Sequence, residues 1–500
     1  MKAINRRKAF FSSICLLLGA FCGRLFASEL LFCILTPIAS VAVGVLLFFL
    51  FKKKVIFILL TVFFAVGTVA SVIDCHVGYD GEINEEGERF VTGRVEEKRQ
   101  YGFLLNDLTV DGKAFDGKLL VRIKENEYET GEELTLKGKV TNISHDEPFD
   151  TYGSSFYNDK IYYETNSFKI IDEKEGKLRF YEKVKLKIER AMRKNMPKEN
   201  VGILKSLLFG DKSELVYTDK QMINGVGLAH IFAVSGLHVG FLVSLILFLL
   251  KKLRIPKTVG GWIAAVIVVF YGFLTGFPSG MKRVSVVLAL QFLAYLKARK
   301  TDPPTTLALA GAIIVLFNPR ELFDIGFVMS FVSVAGIVCY APKLYDTLAK
   351  VWENRAFLYV AGTLSSTIAA TLFIFPVSVG VFHSFSPYTV LSNLVILPIV
   401  AVLFPLAALA AVFCGFWEGF GIMFAPSSYI TTGMRSVVEF FSRLPDSTVE
   451  TPSGIGYLAI LYYATLFLCT GYFRIPKTIK RMLVCASGVS LVVLAAITYL

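Results

Sequence analysis

The runs 30-LLFCILTPIASVAVGVLLFFLF-51 and 55-VIFILLTVFFAVGTVASVI-73 carry no charged residue, and only 52-KKK-54 separates them. Each is long enough to cross a bilayer as an α-helix, a form that satisfies all its own backbone hydrogen bonds in lipid. Upstream, the basic start 2-KAINRRK-8 followed by 9-AFFSSICLLLGAFCG-23 has the look of a removable signal peptide. The two longer runs follow almost at once, so all three read as retained spans, the first one short. The whole chain agrees. Its 500 residues are 54% hydrophobic and 18% charged, with mean hydropathy +0.58, which excludes an ordinary soluble protein of this length. Seven of the eight cysteines (Cys15, Cys22, Cys33, Cys339, Cys414, Cys469, Cys485) lie in apolar stretches and only Cys75 borders a polar one, so neither a disulfide framework nor a CxxC metal pair is present.

The chain changes character at about His76. From there to Gly176 it is polar and strand-like, with 90-FVTGRVEEKR-99, 101-YGFLLNDLTVDG-112, 118-KLLVRIKEN-126 and 134-LTLKGKVTNI-143 punctuated by Gly and Asp turns. This reads as a small inserted β domain. It holds 13 Lys and Arg against 23 Asp and Glu, whereas residues 177–500 hold 31 against 15. The segment 177-KLRFYEKVKLKIERAMRKNM-196 repeats Tyr181, Val184, Ile188 and Met192 at helical spacing between basic residues. It is expected to be a basic amphipathic helix over 177–200, either lying on the membrane surface or serving as a solvated connector.

Apolar segments then dominate. Spans are expected at about 226–250, 259–277, 281–297, 304–318, 323–341, 357–380, 388–414, 419–442, 456–473 and 482–500. The fold expected is a polytopic α-helical membrane protein with about 12–13 apolar spans: N-terminal helices over 1–75, the β domain over 76–176, and a helical domain over 201–500. Gly and Pro interrupt many spans, at 276-GFPSG-280, Pro376, Pro398 and Pro405, which suits helices broken around a cavity. With a cytoplasmic N-terminus, the loops 52-KKK-54, 251-KKLRIPK-257, 297-KARK-300, 343-KLYDTLAKVWENR-355 and 474-RIPKTIKR-481 fall on one side. That count requires 419–442 to be a crossing, and it puts the β domain and the last residue outside.

Polar residues inside the apolar runs are the site candidates. On a continuous helix His230, Val234 and His238 would share a face with Ser235 and Gly236 beside it. Three roles stay open for them: interhelical hydrogen bonds with close approach at Gly236, lining or gating of a conduction path, and nucleophilic chemistry at Ser235. Asp324 is an orienter by residue type for that chemistry, or the N-cap of the helix through Gly326 and Phe327. Lys282 and Arg283 follow a Gly/Pro break, where they would either receive phosphates or snorkel to an interface. Asn393 sits in an apolar span that Pro398 is expected to break. In the β domain, Tyr101, Phe103 and Phe115 with Arg94, Lys98, Arg99 and Lys113 would form a stacking platform, or simply a solvated surface.

The segment 226-VGLAHIFAVSGLHVG-240, preceded by 207-LLFGDKSEL-215, resembles the signature of the ComEC family, the membrane channel of natural competence. The resemblance continues in 147-EPFDTYGSSFYNDKIYY-163, 273-FLTGFPSGMKR-283, 324-DIGFVMSFVSVAG-336 (which carries Ser330), 380-GVFHSFSPY-388 and 391-LSNLVILP-398. It implies a bacterial plasma-membrane channel passing single-stranded DNA to the cytoplasm, with an OB-like external domain and contacts to membrane lipid. The gating candidates are then His230, Ser235, Gly236, His238, Asp324, Ser330, Asn393 and Pro398, and the phosphate candidates Lys282 and Arg283. Many family members carry a C-terminal metallo-β-lactamase-like nuclease domain. This chain stops where that domain would begin, and its five histidines (His76, His145, His230, His238, His383) form no HxHxDH cluster, so a separate nuclease is expected and neither metal nor enzyme activity is assigned. No GxxxxGK[ST] loop occurs, so a cytoplasmic helicase or translocase is an implied partner, with an external DNA receptor; a homo-oligomer is compatible. An intramembrane hydrolase or lipid-processing enzyme built on Ser235 and His238, or a non-conducting scaffold, are the alternatives.

Overall fold

The computed structural model describes residues 8–25, 55–77, 87–99, 102–115, 117–123, 130–143, 161–174, 176–351 and 354–451, with single positions at 128, 462, 463, 465 and 466. The expected spans at 30–51 and 482–500, nearly all of 456–473, and most of 147–163 lie outside the described residues.

Two helices open the chain, α1 (Lys8–Leu25) and α2 (Val55–Val77). They cross through glycines: a Cβ on Gly19 would lie 2.0 Å from the Phe64 carbonyl oxygen, and one on Gly67 would lie 2.1 Å from that of Leu16. The backbones therefore touch, as small residues allow between membrane helices.

The β domain is a closed barrel. Its strands are β1 (Glu88–Arg99), β2 (Gly102–Val110), β3 (Lys113–Phe115), β4 (Lys118–Val121), β5 (Glu133–Asn142) and β6 (Ile161–Lys174). β1 pairs antiparallel with both β2 and β5, β2 with β4, and β5 with β6, while β4 and β6 run parallel and complete the ring; β3 extends β2 at one edge. β5 alternates buried and open positions, sending Leu134, Leu136 and Val140 inward against Val91, Val95, Leu105 and Tyr163. Phe103, expected on a stacking platform, is fully buried in this core, its ring 5.5 Å from that of Tyr128. Arg94, expected beside it, is buried and pairs with Glu182. Burial of Phe103 on β2 and of Arg94 on β1 takes both away from any exposed surface, so that platform does not form as read.

α3 (Phe180–Asn195) matches the amphipathic segment, burying Ile188, Ala191 and Met192. α4 (Lys198–Phe209) and α5 (Tyr217–Gly225) follow. The remaining helices are α6 (Gly236–Lys252), α7 (Lys257–Thr275), α8 (Ser279–Leu296), α9 (Pro303–Phe317), α10 (Ile325–Leu348), α11 (Arg355–Phe382), α12 (Thr389–Phe416) and α13 (Ala425–Ser442), with 3-10 turns at Pro319–Phe323 and Glu418–Phe424. Among the described residues four helical segments are long and apolar enough to cross a membrane: Lys257–Thr275, Ile325–Leu348, Phe357–Phe382 and Thr389–Phe416. The chain is a multi-pass membrane protein.

One expectation is corrected here, and another finds no support. Pro376 lies inside α11, and Pro398 and Pro405 inside α12, with both helices running through them. A proline removes one backbone hydrogen bond, which packed helices tolerate, so only the 276–280 break interrupts the helical path as expected. The α13 helix carries Arg435 and Glu439 and is not among the four long apolar helices, so the orientation count gains no support from it.

The bundle core centres on α12, where Ile396, Val400, Leu403, Phe404 and Ala407 are fully buried. Barrel and helices are tied at two buried contacts: Arg320 Nη1 donates to the Tyr162 hydroxyl at 2.7 Å, and Arg94 pairs with Glu182 on α3.

Candidate functional site

Residues 226–235 form turns rather than helix, and α6 starts only at Gly236. His230 and His238 therefore do not share a helix face. The reason is local: Ser235 is extended at the N-cap and closes a capping box with His238. The Ser235 N–H donates to His238 Nδ1 at 3.1 Å, and Ser235 Oγ lies 3.2 Å from the same nitrogen. Because Nδ1 accepts from a backbone N–H, the ring proton of neutral His238 sits on Nε2. That nitrogen is buried with no partner among the described residues, and the ring lies tilted against that of Phe404, with centroids 4.9 Å apart. In the serine–histidine–aspartate arrangement a carboxylate orients the histidine through its second nitrogen, and among the described residues none occupies that place. Asp324, the orienter suggested by residue type, instead caps α10, accepting from Phe327 N–H and from the Ser279 hydroxyl, both at 2.7 Å.

Three helix starts meet around Ser235. A Cβ on Gly236 would lie 2.8 Å from Arg283 Nη2, and one on Gly280 would lie 2.9 Å from the Val234 carbonyl oxygen. A Cβ on Gly326 would lie 2.9 Å from Asp324 Oδ1. The N-terminal ends of α6, α8 and α10 thus converge, glycine permitting the approach at α6 and α8 and the Ser279–Asp324 hydrogen bond tying α10 to α8. Lys282 pairs with Glu321, whose side chain is only 2% exposed. Arg283, 9% exposed, donates from Nε to Ser330 Oγ at 2.7 Å.

These groups line a cavity of about 2000 Å³ that runs from barrel residues such as Glu96 and Lys118 between the helices as far as Asn393. Of the sequence candidates, His230, Ser235, Gly236, Asp324, Ser330, Asn393, Lys282 and Arg283 all line it, while His238 and Pro398 lie behind its wall. Its membrane portion is rich in hydroxyls, with Ser333 on α10, Ser366, Thr367 and Ser378 on α11, and Ser386 between α11 and α12. Asn393 is buried, and its Oδ1 has no partner among the described residues.

Sequence reading passed over a charged network at the same cavity. Lys205 on α4 is nearly buried and lies within 3.4 Å of Glu189, 3.1 Å of Asp211 and 2.9 Å of Glu214, while Arg193 also reaches Glu214 at 2.6 Å. Burial alone would lower the Lys205 pKa, but the three carboxylates outweigh it and raise it above the ordinary lysine value. Burial likewise pushes Asp211 up, but Lys205 and Lys185 bring its carboxyl down to about 2. The available signal was the lone Lys205 in the apolar run 201–209, followed by 211-DKSE-214. Among the described residues no group of three or more His, Cys, Asp or Glu side chains is placed to hold a metal ion.

Comparison with known proteins adds the family. A model described as competence protein matches residues 207–475, more than half of the chain, and this range contains the α6, α8, α10, α11 and α12 walls of the cavity. ComE operon protein 3 of Bacillus subtilis is 23% identical over 206 residues, which is 41% of this chain and 25% of that protein. Competence protein ComA of Neisseria gonorrhoeae is 29% identical over 157 residues, 30% of this chain and 23% of that protein. Recombination protein 2 of Haemophilus influenzae is 21% identical over 293 residues, 55% of this chain and 36% of that protein. The chain thus spans about a quarter of the first two relatives and about a third of the other. No solved structure matches. With a family model matching more than half of its length, the chain belongs to the competence protein family.

Proposed function

We propose that this protein takes part in DNA uptake across the bacterial plasma membrane, passing a single strand through the cavity between its helices. One observation carries the reading: a roomy cavity continues from the barrel to Asn393 inside a bundle of membrane-length helices, and hydroxyl, amide and cationic groups line it. Buried polar surface of this kind is costly between lipid-facing helices and is expected where a hydrated substrate passes. Family membership, with relatives named for competence and recombination, supports the same role.

The barrel reads as OB-like. Its ring order β1-β2-β4-β6-β5, with β4 and β6 parallel, fits the five-stranded Greek-key barrel of that class. The positive-inside count supports an external barrel and a cytoplasmic N-terminus. The acidic balance of the barrel argues that it positions the strand or a partner protein rather than gripping DNA over its whole surface. A cytoplasmic helicase or translocase would supply the driving force, an external receptor the DNA, and a separate nuclease the second strand's removal.

The test is uptake of labelled DNA into a transformable host whose own channel gene is deleted, at matched membrane abundance. The intact chain restores uptake, and Asn393→Leu, which replaces a buried polar group of the cavity lining with an apolar one, reduces it. No uptake with the intact chain correctly inserted and a nuclease supplied overturns the reading.

A further inference from the structure

The converging helix starts are not electrically equivalent. At α10, Asp324 sits on the N-terminal N–H groups and offsets the positive end of the helix dipole. Lys282 is committed to Glu321. At α6 the capping box uses the Ser235 and His238 backbone N–H groups and brings no charge, so the Gly236 and Leu237 N–H groups at the first two helical positions have no hydrogen-bond partner among the described residues. Arg283 presses Nη2 against Gly236 at this very point. Its guanidinium is nine-tenths buried and has no carboxylate within 4.0 Å among the described residues. Among the described residues only Nε has a hydrogen-bond partner, Ser330. Gly236, Leu237, Arg283 and Ser330 all border the cavity.

A buried cation without a counter-ion is costly, because its hydration is lost and nothing replaces it. Here it stands beside the unneutralised positive end of a 17-residue helix. Both features are offset by the same thing, an anion in the cavity that takes the outward edge of the guanidinium in bidentate fashion and the two N–H groups at once. Glycine at 236 leaves room for that approach, since any Cβ there would collide with Arg283 Nη2 and lie 3.0 Å from Val284 Cγ2.

We infer that Arg283, the Gly236 and Leu237 backbone N–H groups and Ser330 form an oxyanion site of the phosphate class, a fixed point at which the cavity holds a phosphate group. The sequence pair Lys282 and Arg283 thereby divides: Arg283 binds, and Lys282 holds Glu321. The site itself stands on geometry; only the identity of its occupant as a phosphodiester of DNA rests on the proposed function. An anionic lipid headgroup offers the same chemistry.

The full-length protein in nanodiscs of phosphatidylcholine tests it. A fluorescent ten-residue oligothymidylate is titrated at several salt concentrations, with inorganic phosphate as competitor and chloride at matched ionic strength as control. The expected result is binding that phosphate displaces better than chloride does, weakened about tenfold by Arg283→Lys, which keeps the charge but loses the fork. Arg283→Met is expected to lower the slope of log affinity against log salt by about 0.7, one single-strand phosphate contact. Gly236→Ala, which displaces the guanidinium from the opposite side, weakens binding as well, whereas the exposed-loop change Lys300→Met does not. Thermal midpoints of each variant with and without phosphate separate lost binding from lost folding, because the intact protein gains stability from phosphate only if the site exists. Oligothymidylate binding that none of the three cavity variants alters overturns the site and leaves the uptake reading standing. Absence of oligothymidylate binding, together with Arg283-dependent retention of phosphatidylglycerol when that lipid is mixed into the discs, supports the oxyanion site and counts against DNA as its occupant. Neither phosphate, oligothymidylate nor phosphatidylglycerol responding to Arg283 overturns the inference.

Discussion

Ser235 and His238 bind each other across the first turn of α6, the serine N–H donating to Nδ1 at 3.1 Å, and this pair fixes where the helix begins. Ser235→Ala removes the cap oxygen and is expected to lower stability by about 1 kcal/mol. His238→Ala also empties space beside Phe404, at a cost of about 2 kcal/mol or more. Thermal unfolding in detergent measures both. Complete loss of DNA uptake by Ser235→Ala at unchanged stability would instead assign the hydroxyl a chemical role.

Arg94 and Glu182 join the barrel to α3 through a pair in which both side chains are 9% exposed. Glu182 also accepts from the Arg179 N–H at 2.7 Å, so truncating Arg94 leaves a buried carboxylate with one neutral donor. Arg94→Ala is expected to destabilise by about 3 kcal/mol, and the double change Arg94→Met with Glu182→Gln by clearly less, because the orphaned charge is gone. Limited proteolysis at the barrel–α3 junction reads the difference. Equal sensitivity of the single and double variants would remove the pair from the stability of this junction.

How much of this was legible follows from the range of the interactions. Periodicity and length placed α7, α10, α11 and α12, because a membrane helix closes its own backbone bonds within one segment. The β domain was visible as alternation, but its parallel β4–β6 closure joins strands separated by about forty residues and leaves no local trace. The start of α6 was missed because the apolar run 226–235 has helical composition while Gly227, at positive φ, and the Ser235 cap turn it aside. The roles of Lys282 and Arg283 were inseparable in sequence. Adjacent on one helix, they point to different partners, Glu321 and Ser330, that only the fold brings near. Lys205 passed unnoticed for the same reason: two of its carboxylates follow within ten residues, but Glu189 lies on another helix.

Gly19 and Gly67 let α1 and α2 touch backbone to backbone. Gly19→Val or Gly67→Val forces the helices apart, since the contact is with carbonyl oxygens that have no freedom to yield. Cysteine pairs placed across this crossing are expected to crosslink efficiently in the parent and several-fold less in either variant. Unchanged crosslinking would mean that the two helices do not cross at these glycines.

Asp211 gives the structure an acid limit. Its carboxyl is raised by burial, but Lys205, Lys185 and the Ser213 hydroxyl and N–H bring it down to about 2, from an ordinary value of 3.8. A depressed folded pKa stabilises above the unfolded value and loses that contribution as pH falls through the folded one. About 2 kcal/mol is therefore present at neutral pH and fades between pH 4 and pH 2. Asp211→Asn is expected to lower the neutral-pH midpoint, and the parent-minus-variant difference is expected to shrink towards zero as pH falls through that window. A difference that stays constant from pH 5 to pH 2 would show that Asp211 does not ionise differently on folding.

Lys282 and Glu321 decide between two meanings of a basic residue at the cavity. Glu321 is almost fully buried, its Oε1 held by Lys282 and its Oε2 without a partner among the described residues. If Lys282 serves Glu321, Lys282→Met strands that carboxylate. The expected cost is about 2 kcal/mol, below that of a fully buried pair because the lysine side chain is 37% exposed and partly screened. Glu321→Gln added to Lys282→Met then restores most of the stability, since no charge remains to be compensated. If Lys282 instead contacts a phosphate, Lys282→Met leaves the midpoint alone, weakens oligothymidylate binding, and gains nothing from Glu321→Gln. Thermal midpoints and binding titrations on the single and double variants distinguish the two, and the pairing seen here predicts the first pattern.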